Sequence, residues 1–184
     1  MISPSQTFSP MQRALHWIMA ACILAMLFIG VAMVTSVAPA YLGWIALHKS
    51  LGLIVLVLVL IRLVIRWRLG APALPSDLPL PLKLGAKLSH YALYALMLAM
   101  PLLGWAMLSA AGYPVIVFGA VRLPAIAPRS LVLHSVLWDA HHYLGIAFYA
   151  LILLHLGAAL FHGLIRRDGV LQTMIPGFSR QRQR

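Results

Sequence analysis

The chain has little of what a soluble or disulfide-stapled protein is built from. Only 9% of its 184 residues are charged, and just three are acids, Asp77, Asp139 and Asp168, against 14 Lys and Arg. A single cysteine, Cys22, excludes an intramolecular disulfide framework and any thiolate-based metal site. No C-x-x-C-H run occurs, which excludes covalent attachment of a c-type haem. Internal repeats and a second domain are also absent. Apolar residues are in excess, at 62% of the chain, and the mean hydropathy is +0.94. A soluble domain of this length cannot bury so much apolar surface, so the class is integral membrane protein. A net charge of +11 would suit a nucleic-acid partner if it lay on a soluble face. Here the basic residues flank apolar runs and read as membrane-border charges, so no nucleic acid is expected.

Four apolar stretches, 15–34, 42–65, 88–110 and 131–165, reach the roughly 20 residues that a bilayer crossing needs. Backbone groups in lipid must be satisfied internally, so each is expected to be a helix, over about 12–35, 41–67, 85–110 and 131–166. The fold class is therefore all-α, a four-helix transmembrane bundle in a single domain, 1–184. The last span is over-long and should project from the membrane at its N-terminal end. The first is too long an apolar core for a cleaved signal peptide. The proline-rich "LGAPALPSDLPLPLK" reads as a stiff, extended connector between spans two and three. The apolar "GYPVIVFGAVRLPAIAPRS", between spans three and four, should lie on the membrane surface or over the bundle mouth. Arg13, Arg62, Arg66, Arg68, Lys83, Lys87, Arg166, Arg167, Arg180, Arg182 and Arg184 fall on one side, with only Lys49, Arg122 and Arg129 on the other. The positive-inside rule then puts both termini in the cytoplasm.

Eight histidines remain to be explained. The greasy segment "HHYLGIAFYALILLHLGAALFH" alone holds four. By depth, His16, His90, His155 and His162 belong to the inner half, and His48, His134, His141 and His142 to the outer half. His141 and His155 are 14 residues apart, about 40° around a helix and ~21 Å along it, so they share a face. His142 is about 140° from His155 and does not. Span four runs inward while span one starts inside and span two outside. His16 can therefore meet His155, and His48 can meet His141. Two bis-histidine sites stacked at two depths are what two b-type haems need, and a bundle core supplies the apolar slot. The blander reading is stronger for any one border histidine, such as His134 or His142, which is more often an interfacial polar residue or a helix–helix hydrogen bond. A zinc or copper site would call for a tight cluster with carboxylates or thiolates.

Three motifs carry a family resemblance. "QRALHWIMA", "LHKSLGLIVLVLVLIRLVIR" and "HHYLGIAFYALILLHLGAALFH" resemble helices one, two and four of the bacterial cytochrome b-561 group, small four-helix di-haem membrane proteins linked to quinone. The resemblance spans nearly the whole chain. It implies haem-iron ligation by His16 and His155 (inner) and His48 and His141 (outer), in a bacterial inner membrane. One departure stands out: the family commonly has an acid just after the outer helix-four ligand, where this chain has His142. The group includes superoxide oxidases, which take an electron from superoxide outside and pass it through the haems to ubiquinone. Similar four-helix cytochromes serve as subunits of hydrogenases and formate dehydrogenases.

Lys83, Lys87 and His90 share a face if the third helix reaches back that far, and with His162 could surround a quinone headgroup that needs two electrons and two protons. Otherwise the lysines simply mark the membrane border. On the outer side Lys49, Arg122 and Arg129 could neutralise haem propionates or steer in an anion such as superoxide, with Asp139 pairing one of them. The expectation is a superoxide:ubiquinone oxidoreductase with two haem b. The rivals are a cytochrome subunit of a larger dehydrogenase or hydrogenase and, more remotely, a His-lined metal or proton transporter. The sequence does not give the oligomeric state.

Overall fold

A computed structural model describes residues 7–35 and 39–175. Arg180, Arg182 and Arg184, counted above for orientation, lie outside the described residues. Four long helices dominate: α1 Pro10–Thr35, α2 Ala40–Leu69, α3 Leu80–Ala111 and α4 Leu131–Leu160, the last continued by a π-helical turn, Phe161–Arg166, and a 3₁₀ turn, Leu171–Met174. All four helices are long and apolar enough to cross a membrane. Their outward faces are greasy, with residues such as Phe28, Val34, Leu131, Val132 and Leu154 largely exposed. That surface suits lipid and would be untenable in water. The chain is a multi-pass membrane protein with lipid as its solvent.

The helix ends differ from the sequence expectation for physical reasons. α1 begins at Pro10 rather than near residue 12, because Ser9 and Gln12 form a capping box. Gln12 N donates to Ser9 Oγ at 3.2 Å, and Ser9 N donates to Gln12 Oε1 at 3.0 Å. Pro10 sits in the first turn, where a missing N–H costs nothing. α3 begins at Leu80, about a turn earlier than expected. The connector is not extended to its end: Pro79 is the N-cap and Pro81 falls in the first turn, where proline is tolerated. At its other end Gly112 adopts φ 77° and Tyr113 N closes on Leu108 O at 3.0 Å, a Schellman stop.

The expected loop between α3 and α4 holds a two-stranded antiparallel hairpin, β1 Val115–Val117 and β2 Val121–Leu123. It turns on Phe118 and Gly119, both with positive φ, and Phe118 N donates to Ser50 Oγ at 2.8 Å. Val115 and Val117 are buried against α2 while Ile116 faces out. The burial alternates with period 2 although all three residues of β1 are apolar, so the sequence pattern did not announce a strand.

α1 packs along α2, α2 along α3 and α3 along α4. Neither α1 nor α2 packs closely along α4, so α4 stands further from both. The buried core of Met19, Leu56, Val59, Met97 and Phe148 sits at mid-height, and Phe148 is seven residues from both His141 and His155. The two ends of the bundle are called below the hairpin end and the connector end, the latter holding the α2–α3 link and the last turn of α4.

Candidate functional site

Two imidazole pairs meet between α4 and these two helices. At the connector end the rings of His16 (α1) and His155 (α4) have centroids 6.3 Å apart at 66°. At the hairpin end those of His48 (α2) and His141 (α4) are 6.2 Å apart at 68°. One helix serves both because 14 residues return nearly to the same face. His142 packs against Tyr143 instead and is exposed. His134 Nδ1 lies 3.0 Å from Met107 O, a helix-to-helix contact.

The hairpin-end pair is built by small and missing groups on α3. Pro101 interrupts the amide ladder and Gly104 makes room for His141: a Cβ at 104 would stand 3.3 Å from His141 Cε1. His48 Nδ1 and His141 Nδ1 are buried without a hydrogen-bond partner. His141 Nδ1 lies near the Met100 carbonyl without meeting it in hydrogen-bond geometry. An imidazole nitrogen left so in hydrocarbon is costly, and on His141 this Nδ1 edge faces α3, where Gly104 and Met100 lie.

The connector-end pair has neighbours that the sequence reading missed. Arg62, counted there as a border charge, is part-buried. It reaches Tyr94 Oη at 3.1 Å and Gln12 O at 3.3 Å, and its Nη2 lies 3.4 Å from His16 Nδ1. Its position inside the apolar run of α2 was the available signal, since an ionisable residue within a span is a functional hint by default. His90 stands edge-on to His155, with centroids 5.3 Å apart.

The candidate quinone residues are not all brought together. His90 lies beside the histidine pair, and Lys83 Nζ donates to Ser76 O at 2.9 Å. Lys87 is exposed. His162 Nδ1 is 2.6 Å from Asp168 Oδ2, an acid given no role above. Burial alone would raise the Asp168 carboxyl, but hydrogen bonds from His162 and Val170, with Arg166 beside it, hold it below the usual carboxylate range. At the hairpin end Lys49 is half-buried next to His48 and Arg122 is exposed on β2. Arg129 lies over Gly112, where a Cβ would be 3.1 Å from its Nε, so its charge also faces the negative end of α3. Asp139 forms no ion pair with these three among the described residues; the ion pairs join Asp77 and Asp168 to Arg166 and His162.

Across residues 7–177 the chain matches the profile of the prokaryotic cytochrome b561 family. The chain belongs to that family. Two Escherichia coli K12 relatives, cytochrome b561 homolog 1 and homolog 2, are 32% and 30% identical over 180 and 177 residues, covering 92% of this chain in each case and 97% and 92% of theirs. A Yersinia pestis protein named "Probable superoxide oxidase CybB" is 30% identical over 172 residues, covering 92% of this chain and 96% of its own. The prokaryotic cytochrome b561 family is one of electron-transferring, b-type haem proteins, and this chain is a membrane cytochrome of that kind.

Proposed function

We propose that this cytochrome holds two b haems, one between His16 and His155 and one between His48 and His141, and moves electrons from superoxide at the hairpin end to ubiquinone at the connector end. The hairpin end then faces the periplasm of the inner membrane and both termini face the cytoplasm. The observation that carries the reading is the matched pair of imidazole spacings. Two iron–nitrogen bonds of about 2 Å, plus about 1 Å from each nitrogen to its ring centre, give ~6 Å between centroids. The separations of 6.3 and 6.2 Å fit that span. The wider spacing of α4 from α1 and α2, and Gly104, which makes room for the His141 ring, agree with that reading. Among the described residues no three His, Cys, Asp or Glu groups are arranged to hold a bare metal ion.

Bound haem supplies a one-electron relay between the two ends. The residues do the rest. Two superoxide ions leave as dioxygen and release two electrons; one ubiquinone takes those electrons and two protons. Lys49, Arg122 and Arg129 make the hairpin end electropositive and draw the anion in. At the connector end His90 and His162 offer imidazole N–H groups to the quinone carbonyls, and Lys83 and Lys87 form a cationic rim. The name of the Yersinia pestis relative supports superoxide as donor.

Stopped-flow mixing with superoxide, with and without a short-chain ubiquinone, tests the assignment. Haem reduction should be bimolecular and slow as salt rises, and charge reversal at Lys49, Arg122 or Arg129 should remove that dependence. Reoxidation should require quinone and stall in His90→Ala and His162→Ala. A salt-independent rate would favour the reading in which those cations dock a larger dehydrogenase.

A further inference from the structure

The chain has only three acids, and it folds its own end back to bury one of them against a histidine. The π-helical turn Phe161–Arg166 shifts the register of α4, and Arg167 at φ 53° and Gly169 at φ 82° then reverse the chain. A left-handed arginine is strained and persists only where its surroundings hold it. The reversal brings Asp168 beneath His162. Val170 N donates to Asp168 Oδ1 at 3.1 Å, while Oδ2 takes both His162 Nδ1 at 2.6 Å and Arg166 Nε at 2.9 Å. The carboxylate is only 9% exposed and the imidazole 13%. Arg166 reaches on to Asp77, an exposed acid on the α2–α3 connector, at 2.5 Å. The Nε2 side of His162 is left for a second partner.

We propose that Asp168 is a positioning residue for His162, fixing its proton on Nδ1 and turning Nε2 into the group that protonates the quinone. The inference rests on the proposed quinone reduction at this end. A histidine whose Nδ1–H is held by a carboxylate has its tautomer and ring orientation set. As electrons from superoxide reach the quinone, the Nε2–H bond of the imidazolium breaks and an O–H bond forms at a quinone carbonyl. The imidazole left behind keeps Nδ1–H on Asp168 and regains a proton at Nε2 from the aqueous side. Two electrons and two such protons complete one quinol. The string His162–Asp168–Arg166–Asp77 is not itself a proton wire, because a guanidinium does not deprotonate in a protein. Arg166 anchors the carboxylate and ties the connector to the end of α4. The 3₁₀ turn packed against this one contributes no charged side chain.

The test uses haem-loaded full-length protein, a short-chain ubiquinone, and reoxidation measured in water and in deuterium oxide. Asp168→Asn should retain the haem spectrum and reduction by superoxide. Its maximal reoxidation rate should fall by about 10- to 100-fold, a part of the roughly 10²–10⁴-fold that general acid–base transfer contributes. Half-saturation by quinone should stay near the wild-type value and the solvent isotope effect should rise. His162→Ala should lose a similar factor, and the double variant should lose no more than either alone. Asp77→Asn, which leaves the His162–Asp168 contact intact, should reoxidise at close to the wild-type rate. A wild-type rate and isotope effect in Asp168→Asn, with His162→Ala slow, would overturn the role of Asp168 while sparing the quinone assignment. A wild-type rate in His162→Ala would overturn the quinone assignment itself. Should Asp168→Asn fail to load haem, Asp168→Glu takes its place: a raised isotope effect at an unchanged half-saturation supports the role, and an unchanged isotope effect overturns it.

Discussion

Gly104 separates the stability of the bundle from the integrity of one site, because a methyl group there acts on the two in opposite directions. A Cβ at 104 would lie 3.3 Å from His141 Cε1 and 3.6 Å from its Nδ1. Ordinary carbon–carbon contact is about 3.5–4.0 Å, so the ring must give way by a few tenths of an ångström. An iron–nitrogen bond of about 2 Å tolerates such a shift poorly. The same methyl helps the helix, since alanine is favoured over glycine by about 1 kcal/mol. Gly104→Ala should therefore melt no lower than wild type before haem is added, yet bind the hairpin-end haem in a changed environment. Gly104→Leu, whose side chain would fill the space of the ring, should lose that haem and keep the one at His16 and His155. Haem content by pyridine haemochrome and an optical redox titration read both effects. The alanine variant is expected to keep two haems with one of two midpoint potentials moved, and the leucine variant one haem. A leucine variant with two haems at wild-type potentials would refute the argument that Gly104 makes room for a ligating His141.

Three further outcomes follow from the same geometry. His141→Ala should lose the hairpin-end haem while His142→Ala keeps both, as read from haem content and spectra; the reverse pattern would show the helix phase to have been misassigned. Asp168 ionises more readily in the folded protein than in an unfolded chain. Its contribution is thus complete above the ordinary carboxylate range and is lost as pH falls through its lowered folded value. Hydrogen exchange over 168–175 should consequently quicken in acid, and unchanged protection there would contradict this. Trp17 Nε1 donates to Met174 O at 2.8 Å, so Trp17→Phe should loosen the same segment by about 1 kcal/mol, measured by exchange at neutral pH.

The four spans were legible because bilayer thickness and the need to satisfy every amide leave a long apolar run few alternatives. The meeting of His16 with His155 and of His48 with His141 was legible too, since chain direction and a 100° step per residue decide which imidazoles share a depth and a face. Arg62 was missed because charge counting treats any arginine near a span end as a border marker, and only packing brings it to His16 and Tyr94. The Asp168–His162 contact was hidden for another reason. It depends on a π turn and on an arginine in the left-handed region, neither of which has a periodic signature. Proline at 79 and 81 misled in the opposite direction, reading as extended chain where it begins a helix. The short hairpin at 115–123 went unread because an apolar loop between two spans was expected to lie on a surface, and three-residue strands offer little alternation to count.

The central claim is that two imidazole pairs at two depths each hold a haem. Haem-to-protein stoichiometry tests it most directly, measured by pyridine haemochrome on purified, fully loaded chain, with His16→Ala and His48→Ala alongside. The account predicts two non-covalent b haems per wild-type chain and one in each variant. A single haem in wild type, or two retained in either variant, would contradict it.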